Sequence, residues 1–141
     1  IAHVPSEKTY VEGYITIEGA NHILDKMRNI LKKVEERVYI SLTRNYLLLL
    51  VGELQTLIAA RKTVVIITDQ PTAFSRAKVY IGEDRGMRIG VIADSRYVLT
   101  GEYGEGSMNT CLYSGQKNFV ELYRTALSNE IKLLSMREEN Q

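Results

Sequence analysis

Cysteine is nearly absent: Cys111 is the one thiol in 141 residues. A lone cysteine excludes an intrachain disulfide and cannot by itself make a structural zinc site. Flanked by Thr110 and Leu112 in a strand-like run, it reads as a small buried apolar residue rather than a nucleophile. Histidine is as sparse. His3 falls in a leading tail and His22 in the first turn of a predicted helix, so both are expected to be solvated. No metal and no cofactor is expected. A bias of charge is also missing, with 18 basic against 17 acidic side chains and a net charge of +1. Basic residues come at most two together, as in Lys32-Lys33 and Arg61-Lys62, which leaves no nucleic-acid face visible by charge. Long apolar runs are lacking too. Leu47 to Val51 is far too short to span a bilayer, and nothing at the start has the regions of a signal peptide. The expectation is a cytoplasmic protein with no membrane partner.

What is present is the ordinary balance of one soluble domain, 45% apolar and 25% charged. Residues 1–9 have a proline, mixed charge and no periodicity, and read as a tail or linker. The chain begins with Ile rather than Met, so a carboxyl-terminal piece of something longer is expected, with a single domain over 10–141. Its organising stretch is Arg85 to Gly101. Apolar runs at Met87–Ala93 and Tyr97–Leu99 flank the polar triplet Asp94-Ser95-Arg96, which predicts a hairpin of core strands.

Around that hairpin the chain can be taken in order. Tyr10–Ile17 alternates as a first strand. Ile23, Leu24, Met27, Ile30, Leu31 and Val34 then recur on one face of an amphipathic helix, from about Ala20 to Glu36. Val38–Leu42 is a second strand, and Thr43 can cap the helix after it. That helix, Asn45 to about Ala60, carries Leu47, Leu50, Val51, Leu54, Leu57 and Ile58 on one stripe. Leu48 and Leu49 widen the stripe beyond what one sheet face needs, and are candidates for a dimer interface. Thr63–Thr68 contains V-V-I-I, a strand covered on both faces. Ala77–Ile81 is a further strand. Gly101 to Ser107 is rich in glycine, but it leads into a strand candidate, Asn109–Tyr113, rather than a helix amino terminus, so a mobile connector is expected rather than a phosphate cradle. A long helix closes the chain, with Phe119, Val120, Tyr123, Leu127, Ile131 and Leu134 inward.

Ligands in open sheets of strand-helix units gather at the carboxyl ends of the strands. Those ends supply Ser41 and Thr43, Thr68 and Asp69, and Asp94 at the hairpin turn, groups suited to a polyol or sugar. Each also has a structural reading: Thr43 as a cap, Asp69 as the start of the turn before Pro71, Asp94 as a turn former.

The spacing at the hairpin resembles the phospholipase D signature, H-x-K-x-x-x-x-D. Asp94 keeps the carboxylate, but Met87 stands at the histidine position and Ile89 at the lysine position. A thioether cannot replace an imidazole nucleophile, so the resemblance is to the scaffold without its chemistry and no enzyme is expected. The resemblance implies an α/β fold, a mixed β-sheet flanked by helices in the order β-α-β-α-β-β-β-β-α of one phospholipase D-like half.

More specifically, I-T-I-E-G-A-N-H-I-L-D-K-M from Ile15, R-V-Y-I-S from Arg37, the V-V-I-I strand and I-A-D-S-R-Y-V-L from Ile92 are similar to the effector domain of TrmB-family transcriptional regulators, over about Val11 to Leu134. The similarity implies a domain that senses a small molecule, with carbohydrate the first guess, and helps homodimerisation. DNA would be bound only through an upstream winged helix that this sequence does not contain. Some family members bind sugars through a further carboxyl-terminal β extension, and no residue here matches it. The alternatives are a purely structural oligomerisation module and a degenerate phospholipase D-type phosphodiesterase.

Overall fold

The structure, a computed structural model, describes residues 13–83 and 85–139. The expected tail 1–9, His3 and the opening of the first expected strand lie outside the described residues. Seven strands form one mixed sheet: β1 (Tyr14–Glu18), β2 (Arg37–Ser41), β3 (Thr63–Thr68), β4 (Lys78–Ile81), β5 (Arg88–Ala93), β6 (Tyr97–Glu102) and β7 (Thr110–Ser114). Their spatial order is β1-β7-β6-β5-β2-β3-β4. Strands β2, β3 and β4 run parallel, while β5 pairs antiparallel with β2 and the remaining pairs are antiparallel. Five strands in succession follow the second helical segment, the last being the Asn109–Tyr113 candidate shifted by one residue.

One face of the sheet is covered by α1 (Ala20–Lys32), α2 (Arg44–Leu47) and α3 (Val51–Ala59), the other by the 23-residue α4 (Lys117–Glu139). Alternation along the strands sorts the core into two clusters. Val38, Ile40, Val64, Ile66, Ile89, Val91 and Leu99 face α1 and α3 together with Ile23, Met27, Leu31 and Leu54. Ile67, Ile92 and Val98 face α4, which returns Val120, Leu127 and Leu134 at a spacing of seven residues.

Two expected helices end differently. The first stops at Lys32 rather than Glu36, because the amides of Glu35, Glu36 and Arg37 turn to the Asp94 carboxylate at 2.9, 2.7 and 3.0 Å instead of continuing the helical ladder. The expected Asn45–Ala60 helix is two helices around a 3-10 turn, Leu48–Leu50, where Leu50 leaves the helical region at φ −111°, ψ 12°. Leu47, Leu50, Leu54 and Leu57 are buried as the stripe predicts, whereas Leu48 and Leu49 remain 46% and 43% exposed.

The glycine-rich segment after β6 is pinned rather than loose. Tyr103 is buried and meets Tyr46 edge to face at 5.0 Å, and the Gly104 amide donates to Asn109 Oδ1 at 2.9 Å. Gly104, at φ 135°, has no room for a side chain beside the Tyr46 ring.

Candidate functional site

The strand ends do not form the single cluster that the sequence suggests. Three of the five residues meet in a closed knot. Thr43 Oγ1 donates to Asp69 Oδ2 at 2.8 Å, the Arg44 amide donates to Asp69 Oδ1 at 2.9 Å, and Thr68 Oγ1 reaches the same oxygen at 3.4 Å. Thr43 therefore occupies the cap position of α2 without capping it through its hydroxyl, and Asp69 takes the helix amide instead. Burial pushes the Asp69 carboxyl up, but the Arg44 amide and the Thr43 hydroxyl outweigh it and hold the group below the usual carboxylate range.

Asp94 lies at the other end of the sheet. Val38, near the start of β2, pairs with Ala93, while Ser41 at its end pairs with Gly90, so Asp94 and Ser41 are about 13 Å apart along the strand direction. Expected to hold its own turn, the Asp94 side chain instead anchors the entry to β2 by accepting from three successive amides. Its turn is made by the backbone, with Asp94 and Ser95 both left-handed at φ 54° and 56°.

Ser41 points to the α4 side of the sheet, like Tyr39 two residues earlier, and there it lines a cavity of about 270 Å³. Arg85, Arg88, Thr100, Tyr123 and Glu130 supply the rest of the polar wall, and Ala126 and Leu127 the apolar part. The cavity exists because three small or polar residues lie in one row of the sheet: Ser41 opposite Gly90, and Gly90 opposite Thr100. Tyr123 comes down from α4 onto Gly90, and no side-chain carbon would fit between them.

The polar groups of the wall are unequally satisfied. Arg85 is buried, and its Nη2 donates to Glu130 Oε1 at 2.8 Å and lies 2.7 Å from Oε2. Arg88 is exposed; its Nε donates to the Arg85 carbonyl at 3.3 Å, and its Nη groups have no partner among the described residues. Thr100 Oγ1 donates to the Ile89 carbonyl at 3.0 Å and lies 3.3 Å from Tyr123 Oη. Burial pushes the Tyr123 hydroxyl above its ordinary pKa, with Thr100 and Arg85 opposing, so it stays protonated at neutral pH. Ser41, only 5% exposed, makes no side-chain hydrogen bond to any described residue. That hydroxyl opens onto the cavity, where water or a ligand can meet it.

Of this wall, the sequence reveals only Ser41 as a site candidate. Arg85 sits in a turn and Arg88 opens β5, Tyr123 reads as one more inward residue of the closing helix, and Gly90 reads as a gap in a strand. The available signal is an isolated glycine inside a core strand, which marks a close approach by another group.

Elsewhere, Ile89 is buried in the larger core and Met87 is exposed. His22 is exposed, with Nδ1 3.0 Å from the Glu18 carbonyl, and Cys111 is buried with its thiol pushed up to about 11 by burial. No group of three potential metal ligands occurs among the described residues. No helix among them is long and apolar enough to cross a membrane.

No protein-family model and no curated protein matches the sequence. Solved structures do. TrmBL2, an archaeal chromatin protein with a novel mode of DNA binding, superposes with a TM-score of 0.69 at 9% identity, over 92% of this chain and 55% of that one. The present chain thus spans about half of its length. NucT from Helicobacter pylori superposes with a TM-score of 0.66 at 11% identity, over 85% of this chain and 97% of that one. A phosphatidylserine synthase from Haemophilus influenzae Rd KW20 gives 0.49 at 12% identity, over 86% and 38% of the two chains. At these identities the likeness is one of architecture: the chain shares the fold of TrmBL2 and NucT, here a seven-stranded mixed sheet flanked by helices.

Proposed function

We propose that this chain is the ligand-sensing and dimerisation domain of a transcriptional regulator, with a small molecule held beneath α4. DNA would be contacted by a separate upstream domain, as the resemblance to TrmB-family regulators implies. The observation that carries the reading is the Ser41 hydroxyl, unpartnered among the described residues and facing a polar cavity, in a fold whose resemblance to phospholipase D puts Met87 and Ile89 at the nucleophile and phosphate-binding positions. A cavity with convergent polar groups and no nucleophile suits binding rather than turnover. The likeness of fold to TrmBL2, itself a DNA-binding protein, supports the regulatory part.

Dimerisation is proposed through Leu48 and Leu49. Leu122 and Leu133 on the outer side of α4, 69% and 59% exposed, form the other available apolar surface. That second surface is also what favours the competing reading, a structural oligomerisation module without ligand.

Thermal-shift screening against sugars, sugar phosphates and other small metabolites tests the sensing role. The expected ligand raises the melting temperature of wild type and of Asp69→Ala relative to each protein alone, and does nothing for Ser41→Ala. A ligand that acts equally on Ser41→Ala places the site elsewhere. No ligand at all favours the structural module.

A further inference from the structure

Resting on that reading, we infer that the cavity under α4 takes a small hydroxylated oxyanion, a carboxylate or phosphate carried on a short polyol skeleton. The charges and the unfilled hydrogen bonds of the wall lead to this class.

Three charged side chains line the cavity: Arg85, Arg88 and Glu130. Arg85 and Glu130 neutralise each other at 2.7 Å, and a partly buried pair of this kind has little left to offer a ligand. Arg88 keeps its charge. It makes no ion pair with a described residue, and Glu102, its cross-strand neighbour on the same face of the sheet, does not pair with it. Its Nε contact to the Arg85 carbonyl fixes one side of the guanidinium and leaves both Nη groups free. Such a planar fork matches the two oxygens of a carboxylate or phosphate.

Hydroxyl chemistry occupies the inner part of the cavity. Ser41 offers one donor and an acceptor, neither used by the protein. Thr100 Oγ1 directs its proton at the Ile89 carbonyl at 3.0 Å and toward Tyr123 Oη at 3.3 Å, so the Tyr123 O–H has no acceptor among the described residues. Tyr123 can therefore donate a hydrogen bond to a ligand oxygen, and Ser41 can donate or accept one. A bare oxyanion would satisfy Arg88 and leave the Ser41 hydroxyl unanswered. A neutral polyol would do the reverse, leaving the guanidinium in water while burying its own carbons against Ala126 and Leu127.

Size narrows the class further. The cavity, at about 270 Å³, lies just below the roughly 300 Å³ at which drug-sized pockets begin. The Tyr123 hydroxyl end rests against Gly90. A nucleotide does not find the volume there, whereas a skeleton of three to six carbons fits.

Calorimetry with D-glycerate, glycerol 3-phosphate, glycerol and inorganic phosphate tests the class on the full chain. The two hydroxylated anions are expected to bind at least about tenfold more tightly than glycerol or phosphate, with affinity falling as salt rises. Arg88→Gln should remove about tenfold of that affinity and the salt dependence together, and Arg88→Lys should restore only part, since it returns the charge without the fork. Ser41→Ala should weaken the hydroxylated anions and leave inorganic phosphate unchanged. Arg88 is exposed, so a melting curve close to that of wild type is expected for both of its variants.

Glycerol binding as tightly as the anions, or Arg88→Gln without effect, overturns the anion class. If a neutral metabolite from the thermal screen still loses its effect in Ser41→Ala, the sensing reading stands while this assignment fails. If no compound responds to Ser41→Ala, both fail. Anion binding that persists in Arg88→Gln and Ser41→Ala alike is adventitious and also overturns the assignment.

Discussion

Tyr123 Oη occupies the place that a side-chain carbon on Gly90 would take. The glycine in β5 is thus the seat of the tyrosine in α4, and through it of the helix on the sheet. Gly90→Ala should force the ring off its seat, at a cost of about 1–3 kcal/mol as for other overpacked cores. Urea unfolding of Gly90→Ala, Tyr123→Ala and the double variant checks this. The double variant should lose well less than the sum of the two single losses, because the clash needs both side chains.

Asp94 accepts from three amides, two on Oδ1 and one on Oδ2. Asp94→Ala should destabilise the protein by about 2 kcal/mol or more, in line with hydrogen bonds to a charged acceptor. Asp94→Asn keeps one oxygen, enough for Glu36 and Arg37, and should lose less. Equal stability of Asp94→Ala and wild type would remove this anchor from the account of the fold.

Two buried acids set an alkaline limit. Burial moves Cys111 from 9.0 to about 11 and Tyr113 from 10.0 to about 12. Both are neutral when protonated, and unfolding lets them ionise at lower pH. The contribution of these two groups to stability should be flat below about pH 9 and fall as pH rises from there toward 12. Denaturant midpoints across that range measure it, and Cys111→Val should delay the onset. In the native state the thiol should resist a disulfide reagent at pH 8 and react once guanidinium is added.

The proposed dimer should appear in sedimentation velocity as a two-fold species. Leu48→Lys/Leu49→Lys should yield monomer, while Leu122→Lys/Leu133→Lys leaves the dimer intact. The opposite pattern would assign the interface to α4. A wild type that is monomeric at every concentration ends the proposal.

With Met87 and Ile89 at the positions of the nucleophile and the cation, no phosphodiester hydrolysis is expected of this chain. A chromogenic phosphodiester assay checks it, and activity that disappears in Asp94→Asn would refute the expectation. Binding of this chain to duplex DNA should be no better than non-specific and should weaken with salt.

The strand pattern was legible because each run carries its own periodicity. Thr63–Thr68 came out to the residue, its V-V-I-I core being buried from both sides. The hairpin, α1 and the inward stripe of α4 followed from apolar spacing in the same way. Helix ends were less legible, since they depend on distant partners: α1 stops where Asp94, about sixty residues later in sequence, claims the next amides. The site was read only in part. Strand ends were identified correctly for Ser41, Thr43, Thr68 and Asp69, but nothing local says that Asp69 will be consumed by α2 and Thr43. Antiparallel pairing of β5 sends Asp94 to the opposite end. Arg88 and Tyr123 meet Ser41 only through sheet order and helix crossing, which one-dimensional spacing does not encode.

The two sides of the sheet are packed to different depths. Among the described residues, 22 buried hydrophobic residues form the cluster under α1 and α3, and six the one under α4. The latter is also the side interrupted by the cavity. Local opening starts where the fewest apolar contacts must separate, so α4 and the sheet beneath it should form different cooperative units in hydrogen exchange. The amides of α4 should exchange through a small opening, and those of β2 and β3 only when the whole domain unfolds. A molecule held, as proposed, by Ser41 and Arg88 of the sheet and by Tyr123 of α4 would bridge the two units. Its concentration would then be written into the protection of a single helix, which a neighbouring domain or subunit could read without any strand of the sheet having moved.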